Sequence, residues 1–180
     1  MKTAPAHEPD AATVRAILES RARQLAKLPE VEDGSVKLVE LVEFRLGQER
    51  YAFPSAEVRE VFQLTEITPL PSLPPFVMGV ANVRGRILSV IDIRRLLEFT
   101  ETGMTNLNRA IILNSKAMEV AVLADEIVGV YVSDANKWQR SMPTLFGKQE
   151  AYLLGVTNKQ VVVLDAKGLL ASRDLLVDSD

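Results

Sequence analysis

The chain has 180 residues, of which 47% are hydrophobic and 25% charged, so it can bury the core of one globular domain. Its net charge of −3 argues against sequence-independent nucleic-acid binding, in which Lys and Arg neutralise phosphates. Cysteine is absent and His7 is the single histidine, which excludes disulfides, thiolate nucleophiles and histidine-rich metal sites.

The first 36 residues are predicted to form an N-terminal extension. Asp10 can cap a helix over about residues 11–28, and Pro29 ends it. One face of this helix is apolar, with Val14, Ile17, Leu18, Ala22, Leu25 and Ala26 at helical spacing. The apolar face would pack on the protein's own body, as amphipathic helices usually do, or dock on a partner. Residues 29–35 are rich in turn-forming types and are predicted to be a linker.

No stretch of the sequence approaches the roughly 20 apolar residues of a membrane span. The start of the chain also lacks the apolar segment of a signal peptide. We therefore expect a cytoplasmic protein without direct membrane insertion.

Residues 37–180 are predicted to form a mainly β body, because short runs rich in Val and Ile alternate with tight turns. A proline-dense connector between residues 69 and 75 is expected to be a stiff surface crossover. The pattern favours barrels or sandwiches over βαβ units. About ten strands are predicted, at residues 42–46, 49–53, after 58, 77–83, 86–91, 110–113, 117–124, 127–132, 152–157 and 160–164.

Two segments of this body look like copies of each other. Residues 79–92 and 155–165 both read Gly-Val-x-Asn, turn, apolar strand and Asp, and paired leucines follow each. A weaker match, at a constant spacing of 69 residues, joins the segments that begin at Tyr51 and Val120. The chain is therefore predicted to contain a duplicated β unit, whose two barrels would meet along a seam suited to a partner.

Four residues of the repeat have structural interpretations. Asp92 and Asp165, which end the repeated strands, are interpreted as helix caps and not as catalytic groups. Gly79 and Gly155 are interpreted as sites where another backbone approaches closely or the strand bends.

The sequence offers little chemistry for catalysis. It lacks the Gly-rich signatures of nucleotide sites, and its carboxylates are scattered over turns and strand faces. No catalytic residue, cofactor or metal site is therefore predicted. Arg84, beside the Gly85 turn, can fork onto a carboxylate of another protein and is the predicted polar anchor of a protein-binding surface. An enzyme built on carboxylates and a nucleic-acid-binding barrel are the competing hypotheses.

Several blocks of the sequence resemble the CheW family of bacterial chemotaxis adaptors. Residues 44–53, followed by Val-Arg-Glu-Val at 58–61, resemble the opening of that family. Residues 79–92 resemble its most distinctive stretch, Gly-Val-x-Asn-x-Arg-Gly, and residues 124–130 and 152–165 resemble later blocks. The resemblance covers almost the whole predicted β body, in family order.

The resemblance implies a fold of two five-stranded SH3-like barrels and a noncatalytic adaptor in bacterial chemotaxis signal transduction. Proteins similar to this one couple the cytoplasmic tips of methyl-accepting chemoreceptors to the regulatory domain of the histidine kinase CheA, so the chain would be associated with membrane receptor arrays. Gly79 would support the partner-binding surface, and Ile127 and Val130 would line the groove between the barrels. Carried over by position, the partner-binding residues are Val58, Glu60, Gly79, Arg84, Ile127 and Val130.

Two features depart from the family pattern. Ser89 stands where the family usually has proline, and the N-terminal helix is longer than a minimal adaptor needs. The second departure favours an alternative, in which the chain is a CheW-like adaptor of a specialised chemosensory array with surface motility or another non-flagellar output.

Overall fold

The regular structure of the described chain consists of ten strands, three short helices and two 3₁₀ turns. The structure is a computed structural model that describes residues 35–99, 106–140, 147–173 and 175. The predicted N-terminal helix lies outside the described residues. The strands are β1 (Leu38–Leu46), β2 (Glu49–Pro54), β3 (Val58–Gln63), β4 (Val77–Val83), β5 (Arg86–Ile91), β6 (Arg109–Asn114), β7 (Glu119–Ala124), β8 (Glu126–Asp134), β9 (Leu153–Val156) and β10 (Val162–Leu164). The helices are α1 (Ile93–Leu96), α2 (Lys148–Ala151) and α3 (Ala166–Ala171), and the 3₁₀ turns are Ser55–Glu57 and Ala135–Lys137.

The strands form two five-stranded sheets, each with a buried cluster of its own. The strand order is β8-β1-β2-β10-β9 in the first sheet and β3-β6-β7-β5-β4 in the second. We call these units barrel 1 and barrel 2. This architecture confirms the expected mainly β fold of two five-stranded units.

The two barrels repeat the same strand register. In barrel 1, Tyr51 of β2 lies opposite Phe44 of the antiparallel β1. In barrel 2, Val120 of β7 lies opposite Leu113 of the antiparallel β6. The two pairs are offset by 69 residues, the spacing of the sequence repeat. The duplication predicted from the sequence is therefore a duplication of structure.

The repeated units are not consecutive halves of the chain. β3 follows β2 of barrel 1 but pairs with β6 of barrel 2. β8 follows β7 of barrel 2 but pairs with β1 of barrel 1. Each barrel thus receives an edge strand from the segment that leaves the other, so the barrels cannot separate without losing both edge strands.

The largest cluster of buried apolar side chains contains residues of both sheets, and we call it the shared core. Barrel 1 contributes Phe44 and Phe53, whose ring centroids are 5.1 Å apart. Barrel 2 contributes Ile111 and Val122. Full burial of one such side chain stabilises the fold by about 1.5–3 kcal/mol. Paired leucines at the ends of the two repeats complete this core: Leu96, Leu97, Leu169 and Leu170.

The repeat also fixes the starts of α1 and α3. Asp92 Oδ1 accepts a hydrogen bond from the Arg94 N–H at 3.0 Å, and Asp165 Oδ1 accepts one from the Gly168 N–H at 2.9 Å. Each carboxylate satisfies an N–H group that the short helix leaves free. The predicted capping roles of Asp92 and Asp165 are confirmed.

Several strand boundaries differ from the prediction: β1 begins at Leu38 and not at residue 42, and β10 begins at Val162 and not at residue 160. Residues 117–124 were expected to form a strand, but β7 begins at Glu119. The Ser115 hydroxyl accepts hydrogen bonds from the N–H groups of Ala117, at 3.2 Å, and Met118, at 3.1 Å. These bonds favour a turn over a strand.

Candidate partner-binding surface

The edge strands of the two barrels contain a bulge at the same point of the repeat. In β3, the register with β6 shifts between Val58 and Glu60. In β8, the register with β1 shifts between Ile127 and Gly129. A bulge places two residues opposite one, and so changes which side chains share a face.

The bulges turn residues three positions apart toward the same side of each edge strand. Val58 and Val61 lie opposite β6 residues that belong to the shared core. Ile127 and Val130 lie opposite the face of β1 that carries Phe44, which also belongs to that core. In a regular strand, residues three apart would point to opposite faces. The spacing of the predicted pair Ile127 and Val130 therefore depends on the bulge.

This face is covered at the bulge and open beyond it. Val58 and Ile127 pack against the shared core. Val61 and Val130, by contrast, are 41% and 59% exposed. The two edge strands thus carry equivalent pairs, each with one packed and one accessible apolar side chain.

β8 carries more accessible apolar surface than β3. Val128 and Val132 are exposed beside Val130, and we call these three residues the β8 strip. β8 is also the outer strand of its sheet, so its second edge has no strand partner among the described residues. An exposed apolar edge strand is typical of a surface that another protein covers.

Glu60 and Arg84, which are 24 positions apart in sequence, meet at the rim of barrel 2. Arg84 Nη2 lies 3.5 Å from Glu60 Oε2, and Arg86 Nη2 donates to Glu60 Oε1 at 3.0 Å. The Arg84 side chain is 75% exposed, whereas that of Glu60 is 20% exposed. Arg84 therefore keeps most of its donors available to a partner carboxylate.

Arg84 occupies a backbone conformation that most side chains avoid. The turn between β4 and β5 has φ of 53° at Arg84 and 85° at Gly85, and Asn82 Oδ1 accepts a hydrogen bond from the Gly85 N–H at 2.8 Å. A two-residue hairpin of this kind prefers Asn or Gly at its first position. An arginine held in left-handed conformation at the tip of a hairpin is a candidate for function, since it gives no advantage to the turn itself.

Glu119, the first residue of β7, is the centre of the same polar network. Its carboxylate accepts hydrogen bonds from Arg59 and Arg86, and from Asn114 Nδ2 at 3.2 Å. Partial burial raises the pKa of Glu119, but the hydrogen bonds from the two guanidinium groups outweigh it and hold this pKa below its usual range. Glu119 is therefore a stable anion at neutral pH.

Gly79 has a supporting position beneath the proline-rich connector. Its φ is 138°, and a Cβ atom there would lie 2.2 Å from the carbonyl oxygen of Thr68. The absence of a side chain lets Thr68 form a two-hydrogen-bond bridge with Val80 of β4. Gly79 itself is buried and contacts the protein's own backbone.

The structure brings some of the predicted residues together and separates others. Glu60 and Arg84 form one polar cluster, and Val58 lies near it on the opposite face of β3. Ile127 and Val130 belong to barrel 1. The sequence interpretation missed Arg86 as a link and Glu119 altogether, because their contact depends on the parallel pairing of β5 and β7. The valines at every second position from 128 to 132 could have indicated that these three side chains share one face of a strand.

The described residues contain no cluster of three or more His, Asp or Glu side chains that could hold a metal ion. Within the same residues, no helix is long and apolar enough to cross a membrane.

Comparisons with known proteins agree with this geometry. The family model named CheW-like domain matches residues 40–174. Chemotaxis protein CheW of Treponema pallidum is 29% identical over 143 residues, which cover 76% of this chain and 84% of that protein. Protein PilI of Pseudomonas aeruginosa is 25% identical over 143 residues, which cover 79% and 80%. The crystal structure of scaffolding protein TtCheW from Thermoanaerobacter tengcongensis superposes with a TM-score of 0.61 at 24% identity, covering 74% of this chain and 88% of that one. The chain belongs to the CheW-like domain family.

Proposed function

We propose that this protein is a noncatalytic adaptor that couples methyl-accepting chemoreceptors to the histidine kinase CheA. The observation that carries the proposal is the matched pair of bulged edge strands, β3 and β8, each with an accessible valine beside the shared core. The family supports it, because a relative is named a chemotaxis protein and a structural neighbour a scaffolding protein. The chain would act in the cytoplasm, beside the membrane receptor arrays.

The two edge strands offer surfaces of different chemistry. The β8 strip is an apolar row, which fits the apolar face of a helical partner. The rim of barrel 2 offers Arg84 and its ion-paired neighbours, which fit a partner with an exposed carboxylate. An adaptor with two such surfaces can hold two different proteins at once. It transmits a signal when a change in one partner shifts the equilibrium between two states of the other.

The predicted site residues take distinct roles in this proposal. Val58 and Ile127 form the covered floor of each edge, and Val130 makes apolar contact with a partner. Arg84 makes the polar contact with a partner, and Glu60 orients the Arg84 side chain through their ion pair. Gly79 supports the surface by seating the connector on β4.

A specialised array is the second candidate. The identity with Protein PilI, 25%, is close to the 29% identity with chemotaxis protein CheW, over equally long matches. FrzA of Myxococcus xanthus is 36% identical, over 87 residues. In that case the same surfaces would serve a kinase and receptors whose output is surface motility or another non-flagellar response.

The test is a binding measurement on the full chain. Isothermal titration with the regulatory domain of the CheA encoded in the same genome, and with a receptor-tip fragment, should show binding to both. Arg84→Glu should weaken one of these interactions at least tenfold, because it reverses the charge of an exposed contact. The unfolding free energy should change by less than about 0.5 kcal/mol, since the side chain is 75% exposed.

Lys148→Glu is the matched control. Lys148 is 47% exposed, lies on α2, outside β3 and β8, and has a loose ion pair with Glu98 at 3.7 Å. Its reversal should leave both affinities within about twofold. A folded wild-type chain that binds neither partner would refute the proposed function.

A further inference from the structure

A chain of charged side chains runs from the interior of the barrel 2 rim to its exposed tip. We propose that Glu119 is a positioning residue, which sets the orientation of Glu60 and Arg84 for partner binding without touching the partner. The proposal rests on the proposed function, and it gives a role to Glu119, to which the family resemblance assigns none.

The first step is the connectivity of the network. The guanidinium of Arg86 lies between two carboxylates: Nη1 donates to Glu119, and Nη2 donates to Glu60 at 3.0 Å. Glu60 in turn lies 3.5 Å from Arg84 Nη2 through its other oxygen. The order Glu119–Arg86–Glu60–Arg84 therefore links β7, β5, β3 and the hairpin tip.

The second step is the contrast in exposure between the two ends of this network. The side chains of Glu119 and Glu60 are 19% and 20% exposed, that of Arg86 is 32% exposed, and that of Arg84 is 75% exposed. Ion pairs weaken as exposure to water increases. Glu119 is thus the more buried end of the network, and Arg84 is its exposed end.

The third step is that, among the described residues, the network has a single carboxylate besides Glu119. Glu119 also accepts from Arg59 and from Asn114, so three donors from β3, β5 and β6 converge on one carboxylate. Glu60 is the other carboxylate of this network. If Glu119 loses its charge, Arg86 is left with Glu60 alone and competes with Arg84 for its oxygens.

The competition predicts what happens to binding. Arg86 can then engage both oxygens of Glu60 in the forked geometry that guanidinium groups favour. Arg84 loses its neighbour and samples many rotamers, so a partner must order it at a cost in affinity. One uncompensated positive charge is added at the rim, which makes the remaining binding depend more steeply on salt.

The test is a double-mutant cycle on the full chain. Glu119→Gln keeps the shape of the side chain and should raise the Kd for the partner whose binding Arg84→Ala weakens, by roughly fivefold. In the Arg84→Ala background, the same change should raise the Kd by less than about twofold, because the route through Arg84 is already lost. Equal effects in both backgrounds would show that Glu119 does not act through Arg84 and would overturn the inference.

Two further variants separate positioning from folding. Glu98→Gln removes an ion-paired, exposed carboxylate that lies outside β3 and β8, and it should leave the Kd unchanged. Arg86→Gln removes the competitor for the oxygens of Glu60, so in its background Glu119→Gln should raise the Kd by less than about twofold. If Glu119→Gln and Arg86→Gln both fail to fold, the network is a structural element and the inference is wrong. Failure of the wild-type chain to bind either partner would instead refute the proposed function.

Discussion

Barrel 1 and barrel 2 share one strand register but fill their interiors with different chemistry. The interior of barrel 2 is aliphatic, and Ile112 of β6 is completely buried in it. The equivalent position of barrel 1, at the repeat spacing of 69 residues, is Glu43 of β1, which is 3% exposed. The same backbone position therefore buries an alkyl group in one barrel and a carboxylate in the other.

Barrel 1 compensates for the buried carboxylate with local partners. Arg50 Nε donates to Glu43 Oε1 at 2.6 Å. Its interior cluster is small, and the larger side chains of Tyr131 and Trp138 pack against it. Burial is the largest influence on the hydroxyl of Tyr131 and raises its pKa. Barrel 1 thus combines an ion pair with two aromatic side chains, whereas the buried cluster of barrel 2 is aliphatic, with one aromatic side chain, Phe62, packed against it.

The features that both barrels share indicate what the duplicated fold requires. Both barrels keep the apolar face toward the shared core, the bulge in the edge strand and the capped short helix after the repeated strand. The two barrels differ, however, in the chemistry of their interiors. The shared core and the turns determine register, whereas the interior tolerates any set of side chains that fills it and satisfies its polar groups.

The largest expected effect comes from the repeated glycines of β4 and β9. Gly79→Ala should destabilise the protein by about 4 kcal/mol or prevent folding, because it combines backbone strain with a clash. The new Cβ would lie 2.2 Å from the Thr68 carbonyl oxygen. Gly155→Ala should cost about 2–3 kcal/mol, since the nearest atom there is a side-chain carbon of Trp138 at 2.8 Å. Urea unfolding followed by circular dichroism measures both values.

Gly129→Ala is the control for backbone strain alone. Gly129 has φ of 155°, and no atom lies within 4 Å of a Cβ built there. It should cost about 1 kcal/mol. If Gly129→Ala and Gly79→Ala were equally destabilising, close approach of the connector would not explain the glycine of the repeat.

The second prediction concerns the ion pair inside barrel 1. Arg50→Ala should destabilise the protein, because it leaves the buried carboxylate of Glu43 unpaired. Glu43→Ala should cost less, since the side chain of Arg50 is 36% exposed and can reach water once it is released. Chemical unfolding of both variants tests this asymmetry.

A double variant sharpens the comparison between the barrels. Glu43→Ile with Arg50→Met gives barrel 1 the aliphatic chemistry of barrel 2, and it should be as stable as the wild-type protein or more stable. A cost of several kcal/mol for the double variant would mean that the ion pair is needed for more than filling the interior.

The sequence predicted most of the fold because local patterns and tertiary register agree. The two copies of the repeat, for example, begin in β4 and β9 and end at capping aspartates. Polar contacts between strands that are distant in sequence were harder to predict. Glu119 follows a turn that looked like part of a strand, and its contact with Arg86 exists because β5 and β7 run in parallel. The mixed charged and apolar sequence of β3, Val-Arg-Glu-Val-Phe-Gln, gave no sign that Glu60 would meet Arg84.

The smallest expected effect is a pH dependence of stability, and it also distinguishes the barrels. The hydrogen bonds from Arg59 and Arg86 leave the pKa of Glu119 below its usual value despite partial burial, so the folded protein holds this proton less tightly than the unfolded chain. The contribution of Glu119 to the free energy of unfolding is complete above its pKa in the unfolded chain, about 4.3, and is lost as the pH falls through its lower pKa in the folded protein. In barrel 1, the hydrogen bond to Glu43 raises the pKa of Arg50. The contribution of Arg50 to the free energy of unfolding is therefore complete below the pKa of the unfolded chain and is lost only in strong alkali. Unfolding free energies measured between pH 3 and 7 should therefore fall less steeply with acid in Glu119→Gln than in the wild-type protein, and an unchanged slope would contradict this.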